Sequence, residues 1–343
     1  MAKKVLALDI DYGGIRAVEV VRRGRQKVVT QLAHEPMAAG TVVDGKVMND
    51  KALTAGLANL LLKQDFSAES TVLGVRSNWV TVKTHRFPTM PQKELDKALE
   101  FEIPDLVAFP VQTPKDVAYD YFINSRTDNE VEVVMVACPR QLLNPYIRIV
   151  REVGLKLEGI DVPAFGWPEL IGDNLRRGFV EVTEEQTTIQ VIIGGVFKVL
   201  RVIPIGALHL RQAVEEAFNV SSEEAQELFV NRDLDYLLVE GSGSKRVLRS
   251  VIQQFSGSIL QTLDFVRAQE RTSNFRSMLD EMVMMGDLAD LVGLGEMLEK
   301  EIDLPVRSLK HIDSLQVSFD FIRPGRFSCF GSALALGVRG LEQ

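Results

Sequence analysis

The sequence predicts a two-lobed α/β fold with an internal duplication, and three observations make that prediction. The chain has 343 residues, 46% of them hydrophobic, which is more than a single hydrophobic core ordinarily organises. A three-stranded meander opens it, with a near-continuous apolar run over 4–10, a turn at 11–14, and strands over 15–21 and 26–32. The same grammar returns half a chain later at 179–183, 187–193 and 196–203. There the last two strands are joined by Gly194-Gly195, the two-residue turn of a tight hairpin.

The elements between the meanders follow from spacing. Leu53, Leu57, Leu60 and Leu61 mark a helix over 52–62, with Asn49 or Asp50 as its N-cap. Strands are expected at 71–75 and 79–87, then a helix over 91–103 with Leu95, Ala98, Leu99 and Ile103 on one face and Pro91 in its first turn. A hairpin (117–123, 131–138) and a helix over 142–153, stopped by Gly154, complete a compact insertion spanning 88–160. In the second half, Ser221 and Glu224 form a capping box. Leu248, Val251, Ile252, Phe255, Ile259, Leu263 and Val266 trace one face of a long helix. A strand at 282–285, a helix over 288–300, and a closing helix of small residues from Gly331 to Gly340 follow, the last implying close packing.

Composition narrows the function. A net charge of -8 offers no basic footprint, which argues against nucleic acid as partner and against a polybasic membrane anchor. Cys138 and Cys329 lie far apart in apolar stretches and are expected as reduced, structural thiols. The four histidines, at 34, 85, 209 and 311, have no metal-ligand spacing, so no metal site is expected. Val5 to Leu8 is too short an apolar block for a signal peptide, and 189–210 is broken by Lys198, Arg201 and the Gly194-Gly195 turn. Any membrane association is therefore expected to run through a partner. No nucleophile-elbow pattern or other catalytic constellation is present, so no catalytic residues are assigned.

Read in order, a series of motifs resembles the PilM-type pilus assembly proteins, relatives of the division protein FtsA. The opening pair is Leu6-Ala7-Leu8-Asp9-Ile10 with Arg16-Ala17-Val18-Glu19-Val20, followed by Gly40-Thr41-Val42-Val43-Asp44-Gly45-Lys46-Val47. More specific are Phe87-Pro88-Thr89-Met90-Pro91, Glu94-Leu95, Phe101-Glu102, Phe109-Pro110 and Asp120-Tyr121. Val136-Ala137-Cys138-Pro139-Arg140, Gly159-Ile160-Asp161-Val162, Arg201-Val202-Ile203-Pro204-Ile205-Gly206 and Ala333 to Gly340 complete the series. The resemblance implies a bilobed actin-like (ribonuclease H-like, duplicated) α/β fold with an FtsA-type 1C insertion. Subdomain 1A would be 1–87, completed by about 161–177 and the helix at 331–343; 1C would be 88–160; 2A would be 178–210 and 281–330; 2B would be 211–280. It further implies a cytoplasmic scaffold, peripheral to the inner membrane, that grips the cytoplasmic tail of a PilN-like membrane protein, contacts other pilus motor and alignment components, and binds ATP between the lobes.

The phosphate loops depart from that pattern. In the superfold, backbone N–H groups and an Asp in each of two loops hold the phosphates and metal-bound water, with glycines where backbone approaches closely. Here the first loop reads Asp9-Ile10-Asp11-Tyr12-Gly13-Gly14, with Arg16 after it. Asp11 stands where glycine is usual and would repel phosphate unless a cation intervenes; Gly13-Gly14 suits either a phosphate nest or an ordinary hairpin turn. The second loop has Glu181 and Thr183 in place of Asp-x-Gly and keeps Thr187, with Gly206 beyond it; Glu184-Glu185 reads as a solvated turn. The adenosine loop is reduced to Gly286-Asp287. ATP and magnesium are thus expected to bind weakly or not at all. For the partner site, the resemblance points to Glu94, Leu95, Phe101 and Glu102, although Leu95 and Phe101 would equally pack the helix and the two glutamates form its solvated face. Pro104 is expected to shorten that helix. An active ATPase or kinase of the superfold, and an FtsA-like filament-forming scaffold, are the alternatives.

Overall fold

The computed structural model describes residues 3–172, 176–239, 245–312 and 315–342. The first meander is β1 (Lys4–Asp11), β2 (Gly14–Arg23) and β3 (Gln26–Pro36). A small clip, β4 (Val42–Val43) with β5 (Lys46–Val47), leads into α1 (Asp50–Lys63). The Asn49 side chain caps α1 by accepting the Ala52 N–H at 3.1 Å, and Leu53, Leu57 and Leu60 bury its inner face. Next come β6 (Ser70–Gly74), β7 (Thr81–Pro88), α2 (Gln92–Leu106), β8 (Val117–Arg126), β9 (Glu130–Pro139), α3 (Arg140–Glu152), β10 (Lys156–Asp161) and α4 (Trp167–Ile171). The second meander is β11 (Arg177–Val182), β12 (Thr187–Ile193) and β13 (Val196–Ile203). Helices α5 (Ala207–Phe218), α6 (Ser222–Asn231), α7 (Leu234–Val239), α8 (Arg246–Glu270) and α9 (Phe275–Met278) follow, then β14 (Glu281–Gly286), α10 (Leu294–Ile302), β15 (Val306–Ser308), β16 (Ser318–Phe319) and α11 (Gly331–Gly340).

The two large sheets share one plan. The first is ordered β10-β6-β1-β2-β3-β16 and the second β13-β12-β11-β14-β15. In each, the meander is antiparallel and two further strands extend parallel from its first strand. Parallel strands need covered faces, and the described helices supply them. Helices α1 and α3 bury Leu57, Tyr146 and Ile149 against one face of the first sheet; α5 and α8 bury Leu210, Phe255 and Ile259 against the second. Helix α11 lies between the sheets. A Cβ on Gly337 would stand 2.5 Å from Val20 of the first sheet, and one on Gly331 would stand 2.8 Å from Met285 of the second. Small residues there let one helix touch both layers.

Several local expectations change. Helix α2 does not stop before Pro104 but runs to Leu106. Pro104 removes only the N–H that would reach the exposed Glu100 turn, and the Val107 N–H still reaches Ile103 O at 3.1 Å. The helix expected from 288 begins at Leu294, because a chain of turns occupies 287–293 and Gly293, at φ +90, enters the helix from a left-handed conformation. Strand β7 starts at Thr81, leaving Trp79 on a turn. The small sheet β7-β9-β8 with α2 occupies Thr81 to Pro139, whereas α3 and β10, expected inside the 88–160 insertion, pack on the first sheet.

Candidate functional site

The tips of the two meanders meet in a buried cluster of charge. β1 ends in Asp9 and Asp11, β2 carries Arg16, and Arg76 follows β6; from the other sheet come Glu181 on β11 and Asp287 just after β14. Arg76 sits at the centre. Its Nη2 lies 2.9 Å from Asp9 and 3.1 Å from Glu181, and its Nη1 lies 3.2 Å from Asp11. Arg16 makes a parallel bridge, 2.7 Å to Asp11 and 2.6 Å to Asp287. Glu181 also accepts the Ser332 hydroxyl, which in turn accepts the indole N–H of Trp167. One guanidinium thus joins the leading carboxylates of both sheets.

Four carboxylates share two guanidiniums here, so the charges do not balance. Burial raises Asp9, with the Asp11 charge adding to it against the pull of Arg76. Burial also raises Asp287 against Arg16, and pushes Glu181 up to about 7 although Arg76 opposes it. Burial works on Asp11 too, but Arg16 and Arg76 together outweigh it and hold that carboxyl low. Both arginines stay charged: burial alone would lower them, and the surrounding carboxylates more than reverse it. Three of the four carboxyls are thus shifted toward their protonated form and only Asp11 away from it.

Several backbone donors around this cluster that a phosphate could use are engaged within the chain. The Gly13 N–H donates to Asp11 Oδ1 at 2.8 Å, closing a local turn between β1 and β2. At the start of α5, Gly206 N–H donates to His209 Nδ1 at 3.1 Å, Ala207 N–H to Thr183 O at 2.8 Å and Leu208 N–H to Glu184 O at 2.9 Å. A helix N-terminus is ordinarily an anion site because those groups are free; here the 183–186 loop caps them. The Asp287 N–H donates to Val182 O at 2.6 Å. Gly206 and Gly286 serve this closure: a Cβ on Gly206 would lie 2.4 Å from Thr183 O, and one on Gly286 2.2 Å from Val182 O. The Thr187 hydroxyl is turned to Ile205 O at 2.7 Å, and Thr183 hydroxyl to Gln186 O. Tyr12 borders the space that remains beside Asp11, Arg76, Thr183 and Gln186, which amounts to about 10 Å³, roughly the volume one water needs. Among the described residues, no three His, Cys, Asp or Glu side chains are grouped to hold a metal ion.

The Glu184-Glu185 turn is not solvated as the sequence suggested. Glu184 pairs with Arg211 at 2.6 Å, and Glu185 accepts the Asp44 N–H at 2.9 Å, tying the second meander to the β4-β5 clip. The residue that sequence reasoning missed is Arg76. Its signal was present: the apolar strand Ser70 to Val75 ends on Arg76-Ser77, and a cluster with surplus carboxylates requires a buried cation.

A second concavity lies between the first sheet's flank and the small sheet. It holds about 560 Å³ and is lined by Lys46, Met48, Trp79, Phe109, Leu142 and Pro145, among others. Met48 is 65% exposed and Trp79 36%, and the Lys46 ammonium lies 4.2 Å above the Trp79 ring. The four residues expected at a partner site are not among its lining. Leu95 is fully buried under α2, Phe101 stands 80% exposed on the outer face of the same helix, and Glu94 and Glu102 lie exposed and half-buried on it.

Comparison with known proteins places this architecture. The chain is similar to a protein of a solved "PilM-PilN type IV pilus biogenesis complex", at 20% identity over 99% of both chains, with a TM-score of 0.82. It is also similar to the ethanolamine utilization protein EutJ from Carboxydothermus hydrogenoformans, at 14% identity over 98% of this chain and 89% of that one, TM-score 0.57. MreB 5 of Spiroplasma citri, solved bound to AMPPNP, matches at 12% identity over 97% and 95%, TM-score 0.52. These likenesses establish a mixed α/β actin-like ATPase fold. The sequence profile of the type IV pilus assembly protein PilM matches residues 7–338, nearly the whole length over which the two meanders and their joining cluster extend, and the chain belongs to that family.

Proposed function

We propose that this chain is a nucleotide-independent adaptor in the assembly of a type IV pilus or a related secretion platform. It works in the cytoplasm against the inner membrane, gripping the cytoplasmic tail of a PilN-like membrane protein and linking it to motor and alignment components. In this reading the fold is bilobed and duplicated. The two large sheets are 1A and 2A, the small sheet with α2 is the 1C insertion, and α5 to α9 form 2B. The observation that carries the proposal is a contrast of spaces: about 10 Å³ where the superfold holds nucleotide, against about 560 Å³ in the flank groove. Ligand sites ordinarily run to several hundred Å³. The cleft does not fit ATP and magnesium, because Arg76 occupies its centre and its N–H donors are bonded within the chain. No hydrolytic step is assigned to it.

The groove suits a peptide. Apolar anchors of a tail would fill the space beside Met48 and Phe109, and Trp79 gives the broad aromatic surface typical of interface hot spots. A labelled synthetic peptide of the partner's cytoplasmic tail, titrated by fluorescence anisotropy, is expected to bind equally with and without MgATP. Trp79→Ala is expected to weaken it at least about tenfold, the scale of a truncated hot spot. Calorimetric titration with MgATP alone is expected to give no heat. Micromolar MgATP binding would sink nucleotide independence and favour the ATPase reading, and failure of the tail to bind in any nucleotide condition would sink the adaptor.

A further inference from the structure

The cations of this acidic chain are not spread evenly. Several gather at one end of the first sheet, the end of β1 far from the charge cluster. The β2-β3 hairpin there reads Arg22-Arg23-Gly24-Arg25-Gln26-Lys27, four cations in six residues with no acid among them. Arg23 pairs with Gln26, which leaves a two-residue loop. Gly24, at φ +61, takes the first position, where a type II′ turn calls for glycine, and Arg25 stands exposed at the tip. Lys3 and Lys4 lie exposed beside the hairpin: Arg22 N–H donates to Lys3 O at 2.9 Å, and Lys4 faces Val21 across the β1-β2 ladder. Lys156 opens β10 two strands from β1, level with Ser70 and Val5.

Four carboxylates share this rim. Arg22 and Lys27 both hold Glu342, at 2.8 and 3.2 Å; Arg23 holds Asp320 at 2.7 Å; Lys156 holds Glu158 at 2.7 Å, with Glu69 near it. Seven cations against four acids leave a local surplus of positive charge. Arg25 has no ion pair among the described residues, and the Lys3 and Lys4 ammonium groups donate to Leu341 O and Ser67 Oγ rather than to carboxylates. The bridge from Arg23 to Asp320 also brings up the loop that follows β16. Two residues beyond Asp320 stands Ile322, 96% exposed, more than any other large hydrophobic side chain among the described residues. Its neighbour Arg323 lies 5.8 and 4.9 Å over the Phe319 and Phe327 rings, which hold the loop in place.

We propose that this rim rests directly on an anionic bilayer, its cations against the lipid phosphates and Ile322 inserted among the headgroups. None of the rim residues lines either cavity described above, so a small anion finds no enclosure, whereas a broad charged surface meets several strand ends at once. An exposed apolar side chain beside cations suits the boundary between headgroups and acyl chains. The net charge of -8 conceals this segregation. At physiological salt, charges more than about 8 Å away are largely screened, so a membrane meets the local surplus rather than the total. The contact is independent of the tail groove and adds to any hold that a membrane partner provides.

Co-sedimentation of the full chain with vesicles tests it, using phosphatidylcholine alone or mixed with phosphatidylglycerol, at low and high salt and with no partner protein present. The chain is expected to sediment with the mixed vesicles only and to be released as salt rises; equal binding to both, or binding to neither, would overturn the proposal whether or not a tail binds elsewhere. Arg25→Glu, at an exposed tip without an ion pair, is expected to keep the parent Tm and to weaken binding at least about tenfold, since each cation near an anionic leaflet is worth roughly a factor of five; unchanged binding would overturn the rim. Ile322→Ser removes apolar contact and no charge, so binding is expected to weaken with the salt dependence kept, and unchanged binding would overturn the insertion. Capture of the chain by immobilised polyglutamate, without binding to the mixed vesicles, would make the occupant an acidic protein segment and overturn the bilayer.

Discussion

Glu181 carries a charge state that can be read directly by experiment. Its folded carboxyl is pushed up to about 7 from 4.5, burial outweighing Arg76. Between those values the unfolded chain has lost the proton and the folded chain keeps it, so this group makes stability fall as pH rises from about 4.5 to 7 and level off above. Glu181→Gln keeps an acceptor for Ser332 and removes the titration. Its urea midpoint relative to the parent is therefore expected to climb across that window and then plateau; a difference that stays flat with pH would show that Glu181 is ionised throughout. The carboxylates of this site were legible in the sequence because Asp9 and Glu181 fall at the same place in two repeated strand-turn-strand patterns, with Asp11 two residues on in the first. Arg76 was legible only as a cation closing an apolar strand; its pairing was not, because its partners lie on two other strands and only the folded chain brings them together. The engagement of Gly13, Gly206 and Asp287 N–H groups was likewise invisible, since hydrogen-bond partners of turns are set by tertiary approach.

At the scale of elements, strands with long apolar runs declared themselves, and so did the Gly194-Gly195 hairpin, whose glycines sit at φ +59 and +78 as a type I′ turn requires. β10, β15 and β16 did not. They have 6, 3 and 2 residues and exist only as parallel partners of distant strands, a pairing that leaves no local pattern. The end of β14 tests how tightly the second sheet is closed. Gly286 has φ +91 and its absent Cβ would lie 2.2 Å from Val182 O on the neighbouring strand. Gly286→Ala combines a left-handed strain of about 1–2 kcal/mol with a backbone clash that no rotamer relieves. A loss of at least about 2 kcal/mol in urea unfolding is expected; a loss under about 0.5 kcal/mol would mean that β11 and β14 separate freely at this end.

Across the whole molecule, the two large sheets touch through few elements, chiefly α11, the Asp44–Glu185 hydrogen bond and the charge cluster. Interfaces of so few elements ordinarily allow the parts they join to move. Here Arg76 bonds Asp9 and Asp11 of one sheet and Glu181 of the other. Replacing such a pair by well-packed apolar residues can be neutral, but removing one partner strands the opposite charges and costs about 3–5 kcal/mol. Arg76→Leu is therefore expected to lose that much at pH 8. It should recover part of it toward pH 5, where the stranded carboxylates take up protons more readily than they do in the unfolded chain. Fluorescence of Trp167, which donates to Ser332 beside the cluster, reports the join directly, while Trp79 in the flank groove reports the first sheet and the small sheet. In the parent, far-UV dichroism and tryptophan emission should trace one transition. In Arg76→Leu the emission change is expected to precede loss of secondary structure, because the sheets part before either melts. Coincident transitions with an unchanged midpoint would show that the cluster is incidental, and that α11 alone holds the molecule closed.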